Sequence, residues 1–157
     1  MPPPDEDAFR RQRSAALGHA CPFERALLAR CAACGLARSV LLAEREAFGC
    51  ASSAASERCD AYRGELRTAA RFALRIDASG PLPFSKEIRL QCGGLLGLRR
   101  ALDEDDGTAA SDEGGSVDDA DALLRQALQR YGTLEALPYS RVMRAVIHHE
   151  PRRRAPR

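Results

Sequence analysis

Five of the six cysteines in this chain fall between residues 21 and 59: Cys21, Cys31, Cys34, Cys50 and Cys59, with Cys92 standing apart. Nothing else in the sequence constrains the fold as much, because thiols that share a task must meet in space. A chain of 157 residues can build one domain with a core of its own, so it does not need cross-links merely to stay folded. The first residues, MPPPDEDAFRRQRS, contain no basic region followed by an apolar run, which argues against a secretory leader. No apolar run reaches the length of a membrane span. The expectation is a cytoplasmic chain, and in that compartment clustered thiols hold a metal or do redox work more often than they form lasting disulfides.

Structural zinc takes four thiolate or imidazole ligands in a tetrahedron, and a CxxC pair supplies two of them. Cys31 and Cys34 are such a pair, and on a helix residues three apart share a face. Gly49 frees the backbone beside Cys50, and Cys59 lies on the apolar face of the clearest helical segment. The predicted ligands are Cys31, Cys34, Cys50 and Cys59, with Cys21 or Cys92 as a fifth sulfur or a substitute. A zinc ribbon would carry a second CxxC, and this sequence has one. An iron–sulfur cluster also needs four thiolates, and loosely spaced cysteines among helices suit it better than a ribbon built from hairpins. The competing explanation is plain burial, since cysteine packs as a small hydrophobe. It applies most readily to Cys59 and Cys92 taken singly. A thioredoxin-like CxxC opens a helix after a strand, and nothing before Cys31 reads as a strand.

Alanine, leucine and arginine dominate the composition, and all three favour helix. Helical periodicity is expected from Pro22 toward Gly35, from Ser39 as N-cap to Phe48 with Gly49 as a left-handed cap, and over 51–76. It continues over 86–102, 119–132 and 139–149. The predicted class is all-α: an irregular helical bundle around a cysteine cluster, with a C-terminal helical segment after an acidic linker. Residues 1–19 read as a disordered tail, 20–103 as the cysteine-rich domain and 104–117 as a flexible acidic linker. Residues 118–150 read as the C-terminal helices and 151–157 as a basic tail. With so little to bury, 103–117 should be dispensable for folding. Gly93, Gly94 and Gly97 are costly in an apolar helix, and the Gly93-Gly94 pair predicts close approach of another backbone or of the cluster edge.

Other sites are weaker. His19, His148 and His149 read as solvated. The acidic run lacks the spacing of a calcium loop, and CGGLLGL lacks the ending of a phosphate loop. The arginine tail carries no aromatics, which argues against nucleic acid. No acid–base pair or activated nucleophile is visible, so catalysis is not expected. The function expected from the sequence is a small metal-binding protein carrying an iron–sulfur cluster, in electron transfer or cofactor assembly with a protein partner. The alternative is a Zn2+-stabilised helical adaptor.

Overall fold

A computed structural model describes residues 5–108 and 115–150. The expectations for residues 1–4, for the middle of the acidic linker and for the basic tail lie outside the described residues. The chain forms α1 (Glu6–Leu17), α2 (Glu24–Leu28), strands β1 (Ala37–Leu42) and β2 (Arg45–Cys50), α3 (Ser53–Ala70), α4 (Phe84–Asp105), α5 (Ala120–Tyr131) and α6 (Tyr139–His148).

The all-α expectation is therefore corrected. The fold is mostly helical but mixed, because the segment expected as a helix from Ser39 to Phe48 is an antiparallel hairpin with Ala37 opposite Cys50 and Leu42 opposite Arg45. Its residues favour helix locally, but two non-local demands override them. Ala43 and Glu44 both take positive φ, the backbone of a two-residue hairpin turn, although glycine or asparagine usually fills such places. Strand β2 also gains partners on its outer edge. Cys21 N–H donates to Phe48 O, Cys50 N–H to His19 O, and Phe48 N–H to the Glu24 carboxylate. Gly49 is a strand residue, not a helix cap, and a Cβ there would lie 2.9 Å from Leu17 O.

Helix α1 stands where a disordered tail was expected. Asp5 caps it through the N–H groups of Asp7 and Ala8. Arg13 pairs with Glu24, Arg45 lies over the Phe9 ring, and Leu17 is buried. These contacts hold α1 against the hairpin.

Helix α4 is the central element, buried along most of its length from Ile88 to Leu102. One apolar cluster runs from Phe23 through Tyr62, Leu66, Leu95, Leu98 and Leu124 to Val146, so α2, α3, α5 and α6 all contribute to the same core. The glycines of α4 explain how closely α6 packs. A Cβ on Gly93 would sit 2.5 Å from Val146 Cα, and one on Gly97 would sit 2.9 Å from Ala145 Cβ and 3.0 Å from Val142 O. Gly94 instead receives the side chain of Leu66, and its carbonyl accepts from the buried Tyr62 hydroxyl at 2.8 Å. The backbone approach expected at Gly93 and Gly94 thus occurs at Gly93 and also at Gly97, where the approaching element is α6, but not at Gly94, which meets a side chain.

Both ends of the acidic stretch are tied to the fold. Helix α4 reaches Asp105, whose carboxylate pairs with Arg141 at 2.8 Å and accepts from the Tyr131 hydroxyl. On the far side Val117 is buried and exchanges backbone hydrogen bonds with Cys31 and Ala33.

Candidate functional site

The segment after α2 separates the two cysteines of the CxxC pair. Helix α2 ends at Leu28, and Arg30 takes positive φ. Residues 31–36 therefore run in extended and turn conformation, and the helical geometry that would have placed both sulfurs on one face does not form. Cys31 is disulfide-bonded to Cys92 on α4, with their Cα atoms 5.8 Å apart. Cys34 turns the other way.

The thiols of Cys21, Cys34, Cys50 and Cys59 are free, and all four line one small cavity of about 20 Å³. Each comes from a different place: Cys21 from the turn before α2, Cys34 from the segment that follows it, Cys50 from the end of β2 and Cys59 from α3. Pro22, Phe23, Leu27, Leu36, Ala55 and Ala120 supply apolar walls, and Asp121 of α5 supplies a carboxylate. Of the sequence-predicted set, Cys34, Cys50 and Cys59 come together here, Cys21 joins them, and Cys31 and Cys92 are occupied with each other. His19 contributes only its backbone carbonyl, to Cys50 N–H.

Local backbone geometry aims the sulfurs. Cys21 Sγ faces the N–H of Phe23, and Cys34 Sγ faces those of Leu36 and Asp121. An amide two residues ahead, pointing at the sulfur, favours thiolate over thiol. Cys50 Sγ donates to Ser52 O at 3.2 Å, and Ser52 also caps α3 through Ala55 N–H. The N-terminus of α5 closes the site: Asp119 caps it, and Asp121 is buried between Arg58 and Arg125, each at 2.9 Å. Asp121 was missed in the sequence because it ends an acidic run that reads as solvated.

The electrostatics oppose ionisation in spite of those amides. Burial pushes the Cys21 thiol up to about 11, with Cys34, Cys50 and Glu24 adding to the rise. Burial pushes Cys59 up to about 12, and Cys21, Cys34 and Asp121 add to it. Cys34 is also raised, by burial first and then by Asp119 and Asp121 against its two amides. At neutral pH these thiols keep their protons and are poor nucleophiles.

Among the described residues, no group of three or more His, Cys, Asp and Glu side chains is arranged as it stands to hold a metal ion. The thiols share a cavity without sharing a single ion's coordination sphere. No helix among the described residues is long and apolar enough to cross a membrane. No protein-family model, curated protein or solved structure matches the chain.

Proposed function

We propose that Cys21, Cys34, Cys50 and Cys59 ligate an iron–sulfur cluster and that the protein serves electron transfer or cofactor assembly. The observation that carries this reading is the convergence of four free thiols from four segments on one cavity. Burial raises the thiols of Cys21, Cys34 and Cys59, so ionising them together needs a cationic centre to offset the charge.

Four thiolates suit either an iron–sulfur cluster or a zinc ion, and the cavity between them, about 20 Å³ and room for about one water, would have to widen to admit a cluster core. Ligands drawn from four separate segments at irregular spacing fit a cluster better than a zinc ribbon, which would carry a second CxxC pair. The four cysteines are also only half-buried, which leaves such a cluster near enough to the surface to exchange electrons, or itself, with a protein partner.

The test is anaerobic reconstitution with ferrous iron and sulfide. The expected product carries stoichiometric sulfide and thiolate-to-iron absorption in the visible. Binding of zinc without any uptake of iron and sulfide would replace this reading with that of a zinc-stabilised adaptor.

A further inference from the structure

The Cys31–Cys92 disulfide lies outside the cavity, yet it anchors the segment that carries Cys34. That segment, between α2 and β1, has little regular structure of its own. Its ties are the α2 turn through Arg30 N–H to Leu27 O and Cys31 N–H to Ala26 O, the backbone bonds of Cys31 and Ala33 with Val117, Ala120 N–H to Ala33 O, Ala51 N–H to Leu36 O, Ala37 N–H to Cys34 O, and the covalent bond to α4. Among these the disulfide is the covalent tie, and it reaches the central helix. At its other end the disulfide is firmly held: Cys92 is 1% exposed, Gln91 beside it accepts from Ala26 N–H, and Gly93 packs on α6. Cys31 is half-buried. Cys21, Cys50 and Cys59 are carried by other elements, two of them on the hairpin and α3.

We infer that the Cys31–Cys92 disulfide positions Cys34 and makes the thiol cavity redox-controlled: oxidised, it presents all four thiols together; reduced, it releases Cys34. The co-reactant is a dithiol reductant. One of its thiolates attacks Cys31 Sγ, and Cys92 leaves as a thiolate that takes a proton. The second thiol of the reductant then displaces Cys31, which also leaves protonated. Two electrons and two protons pass to the protein, and the reductant becomes a disulfide. The metal role of Cys34 rests on the cluster reading, but its positioning does not.

The test uses metal-free, folded full-length protein and the rate of iodoacetamide labelling at each cysteine, followed by mass spectrometry. It compares wild type with Cys31→Ser/Cys92→Ser, and with wild type reduced by a phosphine that is then removed. The expected result is labelling of Cys34 faster by roughly fivefold or more, with Cys50 and Cys59 changed by less than about twofold, as local release without global opening requires. Unchanged labelling at Cys34, or a parallel rise at all four cavity cysteines, overturns the inference and leaves an ordinary structural cross-link. Reduction of the wild type reads the same quantity if the double variant does not fold. The labelling needs no metal, so this inference and the cluster reading fail separately.

Discussion

Cys59 sits where α3 turns its inner face to the cavity, among three other thiols and beside Asp121, and burial pushes its thiol up to about 12. Every thiol that ligates a metal must lose that proton, so binding releases protons and gains strength with pH. The apparent affinity for iron or zinc should therefore rise steadily between about pH 6 and about pH 9, where these thiols are otherwise protonated. Titration with a competing chelator at several pH values measures this, and a flat profile would mean the thiols are not the ligands. Linkage gives a second sign. The folded-state pKa of Cys59 is raised from an ordinary 9.0 to about 12. Its contribution to the stability of metal-free protein is complete below pH 9 and is lost as pH rises toward 12. Cys59→Ala should flatten the alkaline fall seen in urea unfolding at graded pH. At this scale the sequence is partly legible. Clustering points to Cys34, Cys50 and Cys59, and these three do line one cavity. The pairing of Cys31 with distant Cys92 leaves no local mark, because it depends on how α4 lies against the segment after α2.

The packing of α4 on α6 is set by two glycines one turn apart. Gly93→Ala and Gly97→Ala would drive a methyl into the backbone of Val146 or onto Val142 and Ala145. Each gains about 1 kcal/mol of helix propensity and loses more to overpacking, for a net loss of about 1–2 kcal/mol. Gly64 is the internal control: it lies in α3, and a Cβ there meets nothing within 4 Å. Gly64→Ala should stabilise by about 0.5–1 kcal/mol. Chemical unfolding of the three variants should give opposite signs, and a uniform sign would mean the α4–α6 contact is looser than described. The disulfide joins the same helix to the chain across a sequence separation of 61 residues, a span whose closure contributes about 4 kcal/mol on the chain-entropy account. Helices α3, α4, α5 and α6 are legible because their periodicity is long and sustained. The hairpin is not, because Ala43-Glu44 carries no turn signal and the alternation of Ala47 and Gly49 is too short to outweigh helix-favouring neighbours. What fixes it is pairing with residues 19–21 and with Glu24, contacts between segments that no local window contains.

Across the molecule, the acidic stretch between α4 and α5 joins parts of one core and is anchored at both ends. The Asp105 carboxylate is held well below the usual range, first by Arg141 and then by the Tyr131 hydroxyl, so that ion pair persists until the pH falls below the ordinary carboxylate range. Val117 is buried against the segment that bears Cys31 and Cys34. Replacing 103–117 with a short flexible joint should therefore lower the melting temperature by more than about 5 °C, since losing roughly 2 kcal/mol in a domain of this size has that effect. This reverses what composition alone implies, because the stretch reads as solvated from its carboxylates and glycines, and its two ends are the exceptions. The central claim concerns the whole chain: a fold of helices and one hairpin brings four distant thiols to one cavity so that they hold an iron–sulfur cluster. The most direct measurement is the iron, sulfide and zinc content of protein isolated without oxygen, for wild type and Cys50→Ser. The account predicts iron with matching acid-labile sulfide in the wild type and its loss in the variant. Protein that carries zinc alone, or no metal, or iron and sulfide undiminished by Cys50→Ser, contradicts it.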